Sequence, residues 1–276
     1  MASHDIPQLE LHDGTTIDQL GLGVYKVPEE ETEKVVTTAL EVGYRLIDTA
    51  SMYDNEAAVG RAIRHSGIAR EDISVATKFW LEDLGYDNTL RAFERSLDAM
   101  GLDYIDRYLI HWPAPERNLF VESWAAMLAL KNDGAVRSIG VCNFHPEHLE
   151  RLISASGVAP AINQVEMHPW LTQEPLRVFH QDHGIVTQAW SPLARGQILD
   201  EATLVALAAH YGRSVSQIVL RWHIQRGDAV VAKSVRRERL AENLQVFDFD
   251  LTAEDMATIS GLNRDYRTGV DPNDRN

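Results

Sequence analysis

Apolar residues in this chain gather into short runs rich in β-branched and aromatic types, and between the runs they recur at helical spacing. Eight runs read as strands: GLGVYK from Gly21, YRLIDTA from Tyr44, ISVATKFW from Ile73, IDRYLIHW from Ile105, VRSIGVCNF from Val136, AINQVEM from Ala161, IVTQAWSPL from Ile185 and AVVAKSV from Ala229. Between the first two, Thr32 to Val42 carries Val35, Val36, Ala39, Leu40 and Val42 on one helical face. Glu201 to His210 and Val215 to Gln225 read as two further helices parted at Gly212. Strand and helix alternating in this way predict parallel strands joined by right-handed crossovers, and near-continuous apolar strands fit a sheet covered on both faces. Ahead of the first run, QLELHDGTTIDQL holds two extended stretches around Asp13-Gly14, a pair favoured in type I′ turns, which predicts a small hairpin over the barrel floor. From Asn263 onward, Asp, Asn and Arg mixed with Gly269 and Pro272 read as a loop tail.

Such a chain can open into a doubly wound sheet or close into a barrel. The open dinucleotide-binding sheet calls for G-x-G-x-x-G after its first strand, and here Gly21-Leu22-Gly23 runs into Tyr25-Lys26 without the third glycine. A length of 276 residues suits a (β/α)8 TIM barrel of about 250 residues with a hairpin cap and a short tail. No linker or low-complexity run divides residues 1–276, which read as one barrel domain.

The composition, 45% hydrophobic and 24% charged, is that of an ordinary globular protein. A net charge of -15 disfavours binding to phosphate backbones, so no nucleic-acid partner is expected. Met1 to Gln8 carries Asp and Pro where a signal peptide needs an apolar core, and no run reaches membrane-spanning length. The expectation is a cytoplasmic protein without membrane contact. The single cysteine, Cys142, excludes an intrachain disulfide and a cysteine-rich zinc site.

In an α/β barrel, reactive groups collect where strands end at the C-terminal face. The second strand ends at Asp48 with Tyr53 just beyond, the third near Lys78, the fourth at His111. Any one of these alone reads more readily as a structural ion pair, a packing group or a hydrogen-bonded imidazole. Together they resemble the catalytic tetrad of the aldo-keto reductase superfamily. The resemblance spans almost the whole chain: LGLGVYKV at Leu20, GYRLIDTASMYDNE at Gly43, IHWP at Ile110, GVCNF at Gly140, NQVEMHPW at Asn163, then QAWSPL and AKSVRRERLAENLQVFDFDL. Within the superfamily the chain is most similar to bacterial 2,5-diketo-D-gluconic acid reductases and related small reductases.

The resemblance implies NADPH-dependent reduction of aldehydes and ketones, diketo sugar acids and dicarbonyls among them, by a monomer that needs no metal. Tyr53 would give the proton, Lys78 would favour the developing phenolate, Asp48 would hold Lys78, and His111 would orient the carbonyl oxygen. Asn143 and Gln164 would hydrogen-bond the nicotinamide carboxamide and Trp190 would stack on its ring, with Cys142, Ser191 and Leu193 beside them. Lys233, Ser234 and Arg239, flanked by Val235 and Arg236, would take the 2′-phosphate, with Glu242 and Asn243 near the adenine. Tyr25, Trp80, His111 and Trp112 would line the substrate pocket. Two departures stand out: Cys142 occupies a position where many members have serine, and Trp190 one where many have tyrosine.

Two other readings stay open at this point. Glu166 and His168, two apart on a strand and facing one side, could join His111 and Asp48 as ligands in a metal-dependent barrel hydrolase. The chain could also be a nicotinamide-binding regulator without turnover.

Overall fold

The structure, a computed structural model, describes residues 6–276; the part of the Met1 to Gln8 reading that falls on residues 1–5 lies outside the described residues. The hairpin comes first, β1 (Gln8–Glu10) and β2 (Thr16–Asp18). Then follow β3 (Leu20–Gly23), α1 (Glu29–Val42), β4 (Leu46–Asp48), α2 (Glu56–His65), β5 (Ser74–Phe79), α3 (Tyr86–Met100), β6 (Ile105–Ile110) and α4 (Phe120–Asn132). The second half runs β7 (Val136–Cys142), α5 (Pro146–Ser156), β8 (Ile162–Glu166), α6 (Glu174–Asp182), β9 (Val186–Trp190), α7 (Ala202–Tyr211), α8 (Val215–Gln225), β10 (Ala229–Ala232), α9 (Arg237–Leu244) and α10 (Ala253–Ser260). Strands β3 to β10 pair in parallel in chain order, and β10 closes onto β3 with Val230 opposite Leu20 and Ala232 opposite Leu22. The chain is a closed (β/α)8 barrel, not an open sheet. Among the described residues no helix is long and apolar enough to cross a membrane.

Local chemistry trims the elements. The first strand stops at Gly23 rather than running to Lys26, whose φ of 58° turns the chain away. Helix α1 starts at Glu29, where three acidic residues in the first turn suit the positive end of the helix dipole. Gly212, with φ 61°, ends α7 as the left-handed cap that glycine adopts without strain.

The hairpin forms over the floor, with a different turn from the one expected. Glu10 pairs with Thr16, which leaves Leu11 to Thr15 as a wider loop in place of a two-residue type I′ turn. Asp13 is the reason. Its carboxylate accepts from the Thr15 N–H (3.1 Å) and hydroxyl (2.7 Å), and reaches Lys131 Nζ at 2.6 Å and Ser138 Oγ at 2.8 Å, tying the loop to α4 and β7. In the tail, Pro272–Asp274 makes one 3-10 turn, capped by the Asp271 carboxylate accepting from the Asn273 N–H at 3.0 Å.

Strand register divides the burial in two. Leu46, Ile162 and Ala229 meet Leu11 and Ile17 of the hairpin segment in a small apolar cluster inside the barrel at its floor. The larger core, with Val36, Leu40, Ile47, Val75, Ile110, Phe120 and Trp124, fills the space between strands and helices. Above the floor layer the inner face turns polar, with Asp48, Lys78, Cys142, Gln164 and Gln188 all buried.

Gly140 lets the inner strands approach: a Cβ there would stand 2.6 Å from Ile162 O and 2.9 Å from Leu109 Cδ2. Gly140→Ala is therefore expected to cost about 1–3 kcal/mol of overpacking and to lower the melting temperature by about 2–4 °C per kcal/mol. Thermal denaturation checks this, and an unchanged transition would show that β7 has slack here.

Candidate active site

Lys78, on the inner side of β5, is fully buried, and its ammonium donates to Asp48 Oδ1 at 2.6 Å and to the Thr49 carbonyl at 2.8 Å. The second Asp48 oxygen accepts from Gln164 Nε2 at 2.8 Å, and the same amide donates to Gln188 Oε1 at 2.8 Å. The Cys142 thiol lies 3.9 Å from Gln164 Oε1. Burial alone would lower the pKa of Lys78, but Asp48 and Tyr53 beside it outweigh that and raise it, so the group stays an ammonium.

Tyr53 closes a 3-10 turn, Ser51–Tyr53, just after β4. The turn is held by Asn55, whose buried amide donates to the carbonyls of Val24 (3.1 Å) and Val27 (3.2 Å) and accepts from Thr49 Oγ1 (2.7 Å). This lashes the loop after β4 to the loop after β3 and leaves Lys78 Nζ 5.3 Å from the centre of the Tyr53 ring. Burial pushes the Tyr53 phenol above its ordinary value while the Lys78 ammonium pulls it back. The His111 ring stands edge-on to Tyr53 at 5.7 Å and to Trp80 at 4.9 Å. Burial, then the charges of Lys78 and Arg275, hold the His111 pKa well below the usual range, so the imidazole is neutral. Its Nδ1 is buried without a hydrogen-bond partner among the described residues.

Around this centre, Asn143 takes a left-handed backbone, φ 63°; its amide donates to the His111 carbonyl at 3.0 Å and accepts from Trp190 Nε1 at 2.9 Å. Ser191, with φ 50°, and Leu193 follow on the loop after β9. Tyr25 lies 5.0 Å from Tyr53, and Trp112 is buried next to His111 in sequence. The basic segment sits apart, between β10 and α9. Arg236 caps the helix, and Ser234 Oγ accepts from its N–H at 3.3 Å. Val235 is exposed and Asn243 is buried, while Gln217 donates to the Glu242 carbonyl at 2.9 Å. Arg236 and Arg239 are exposed and pair with no carboxylate among the described residues, whereas Arg237 pairs with Glu41 at 2.5 Å. Lys233 is committed to the Lys26 carbonyl at 2.8 Å.

A family model described as the aldo/keto reductase family matches residues 17–264. The chain belongs to the aldo/keto reductase family. An aldo-keto reductase of Mycolicibacterium smegmatis is 50% identical over 266 residues, 96% of this chain and 97% of that protein. Among solved structures, an aldo/keto reductase from Brucella melitensis superposes with a TM-score of 0.90 at 49% identity, covering 93% of this chain and 99% of that one. A mutant of Gox0644 in complex with NADPH superposes with a TM-score of 0.94 at 45% identity, covering 97% of this chain and 98% of that one.

Glu166 and His168, weighed in the sequence as metal ligands, serve another purpose. The Glu166 carboxylate accepts from the Thr268 N–H (2.6 Å) and hydroxyl (2.5 Å), from the Gly269 N–H (3.0 Å) and from His168 Nε2 (3.2 Å), fastening the tail to the end of β8. Gly269 must be glycine for this approach, since a Cβ would stand 2.8 Å from the Trp190 ring and 2.9 Å from Glu166 Oε2. Among the described residues no group of three or more His, Cys, Asp and Glu side chains is arranged to hold a metal ion. Sequence reasoning missed Gln188, Asn55 and Arg275, the last with its guanidinium carbon 5.3 Å from the Trp112 ring centre and 5.8 Å from that of Trp80. The first two are ordinary amides in apolar runs and loops, and the third sits in a stretch without periodicity.

Burial would raise the Glu166 pKa, but these donors hold it at about 2. A depressed carboxylate stabilises the fold fully above its unfolded value near 4.5, and the contribution is lost as pH falls toward about 2. Glu166→Gln, which turns an N–H2 toward backbone donors, is expected to speed hydrogen exchange at Thr268 and Gly269 at neutral pH. The parent should show the same loss only below about pH 4. Unchanged protection in the variant would mean the tail is held elsewhere.

Proposed function

We propose that this chain reduces aldehydes and ketones to alcohols with NADPH, Tyr53 giving the proton to the carbonyl oxygen. The observation that carries this reading is the buried Lys78–Asp48 pair lying beneath Tyr53, with the neutral His111 at its side. The residues present fit NADPH. Gln164 Oε1 meets only a thiol, Asn143 keeps a free hydrogen and a lone pair, and Arg236 and Arg239 are cations without ion pairs among the described residues. Asn143 and Gln164 would hold the carboxamide and Trp190 the nicotinamide face. Ser234, Arg236 and Arg239 would hold the 2′-phosphate. Cys142, Ser191, Leu193, Val235, Glu242 and Asn243 would flank the group. When bound, it supplies hydride to the carbonyl carbon.

The chain's own part is the proton. Tyr53, pushed up by burial, keeps its proton at neutral pH and can release it only against a nearby positive charge. Lys78, kept charged by Asp48 and 5.3 Å from the ring centre, is that charge. His111, neutral, hydrogen-bonds the carbonyl oxygen and fixes its approach to Tyr53. Trp80, Trp112 and Tyr25 form an apolar wall that keeps water off the reacting bond.

Tyr53→Phe is expected to keep NADPH binding and to lose carbonyl reduction by about a hundredfold or more. In the parent the rate should stay flat from about pH 6 to about pH 9, because the Tyr53 value is raised and the His111 value lowered out of that window. Stopped-flow absorbance of NADPH with a reactive aldehyde reads both. Retained turnover in Tyr53→Phe would take the proton away from Tyr53, and binding without turnover in the parent would favour a sensor.

Cofactor choice rests on the 2′-phosphate. Charge-assisted hydrogen bonds contribute about 1.5–3 kcal/mol, so Arg239→Ala should raise the NADPH dissociation constant about ten- to a hundredfold. The NADH constant should move by no more than about threefold. Lys233 is a poorer test, because its removal also frees the Lys26 carbonyl. Equal weakening of both cofactors, read by fluorescence titration, would refute the phosphate assignment.

A further inference from the structure

A cavity of about 890 Å³ opens at the floor of the barrel, at the end opposite Tyr53 and His111. Gln8 and Thr16 of the hairpin form one side of it. Arg45 before β4, Ser74 at the start of β5, Arg107 on β6 and Arg137 on β7 form the other. Its volume is that of a small-molecule site, for which about 300–1,000 Å³ is usual. Residues at this end of a barrel ordinarily serve stability alone, and Arg107 does not fit that part.

Arg107 is 4% exposed, and a guanidinium is almost never buried to that degree without a counter-ion. Among the described residues none is paired with it. Its terminal nitrogens donate to Ser74 Oγ and to the Thr16 carbonyl, both neutral, and its Nε is buried without a hydrogen-bond partner. The carboxylates whose charge reaches it are Asp106, Asp18 and Asp13, and each is turned to other donors. Asp106 accepts from Arg70 at 2.8 Å, from the Val75 N–H at 2.9 Å and from Arg137 at 3.3 Å. Asp18 accepts from Gln8 at 2.8 Å, and Asp13 holds Lys131 and Ser138. Bracing the hairpin through two neutral acceptors needs donors and no charge, and a buried charge is costly until a counter-ion meets it. Arg45 faces the same cavity, bonded only to the carbonyls of Leu40 (3.0 Å) and Tyr44 (2.7 Å). Guanidinium groups arriving from several strands suit a group with several acceptor oxygens, and a phosphate offers three. The acids at the rim, Glu71 and Asp72, are exposed, and in water their charge weighs less on a bound anion than the buried cation does.

We propose that the floor cavity is a second ligand site, which binds a phosphate ester of small-metabolite size. Arg107, with Arg45 and Arg137, holds the phosphate, and the uncharged polar remainder lies against Gln8 and Thr16 of the hairpin. The site does not depend on the reaction at the mouth. Its occupant supplies the counter-ion that Arg107 lacks and ties the hairpin to the entry ends of β5 and β6.

The test is calorimetric binding of sorbitol 6-phosphate to the full chain saturated with NADPH. This ester has no carbonyl to be reduced, and the saturating cofactor keeps it from the basic segment between β10 and α9. The parent should bind the ester and not sorbitol, and inorganic phosphate should compete with it. Arg107→Met should weaken binding about ten- to a hundredfold, and Arg45→Met by a smaller factor. Added potassium chloride should weaken it in the parent. Because Arg107→Met also removes a donor from the Thr16 carbonyl, the place of binding is read in the parent itself: the ester should slow hydrogen exchange across Gln8–Asp18 and leave the amides around Tyr53 and Asn143 unchanged. No binding by the parent, equal binding of sorbitol, or an affinity unchanged in both arginine variants would overturn the proposal. Protection confined to the amides around Arg236 and Arg239 would overturn it too, by placing the anion at the far end of the barrel.

Discussion

A buried ammonium on the inner wall of a closed barrel sets the terms for the rest of this molecule. Left alone in the interior, such a charge costs several kcal/mol, and attraction to a counter-ion offsets this only when the remaining donors and acceptors are also satisfied. Lys78 meets that demand with Asp48 and the Thr49 carbonyl, and the free Asp48 oxygen then requires a donor of its own. Gln164 provides it, and the second hydrogen of that amide requires Gln188. One charge on β5 therefore dictates polar side chains on β4, β8 and β9 at the same level. The inner wall keeps a small apolar cluster at its floor, where the hairpin segment contributes Leu11 and Ile17, and the main hydrophobic core lies outward between strands and helices.

The same charge orders the electrostatics at the mouth. Burial raises a phenol and lowers an imidazole, because in each case it disfavours the ionised form. Tyr53 is therefore protonated and His111 neutral across ordinary pH, while Lys78 remains charged beneath them. A carbonyl oxygen brought to this place meets groups able to donate, backed by a positive charge that does not titrate. Negative charge developing on that oxygen is met by dipoles and a cation already fixed in position, which is where electrostatic catalysis gains most.

How much of this was legible in the sequence follows from the kind of interaction involved. The eight strands were, because burial on both faces leaves runs rich in apolar residues, and α8 was placed to the residue by its apolar spacing after the break at Gly212. Asp48, Tyr53, Lys78 and His111 could be found because strand ends in a barrel converge whatever the strands contain. The hairpin turn was misjudged, since local propensity favours Asp13-Gly14 in a tight turn while Asp13 is drawn to Lys131 and Ser138 far along the chain. Glu166 was weighed as a metal ligand and not as a clasp, because its partners are backbone N–H groups more than a hundred residues away. Arg275 lies in a segment with no period at all.

That clasp joins the two halves of the site through one strand. Gln164 and Glu166 are two apart on β8 and so share its inner side, the first bonded to Asp48 beneath the mouth and the second to the tail above it. Gly269 packs on the edge of Trp190, whose indole in turn holds Asn143, which itself donates to the His111 carbonyl. The wall that carries Arg275 is thus registered against Asp48 and His111 by a chain of short, mostly buried hydrogen bonds rather than by the tail's own structure. A segment with almost no regular secondary structure can hold a side chain in place on these terms, because the rigidity belongs to the barrel strand it is bound to.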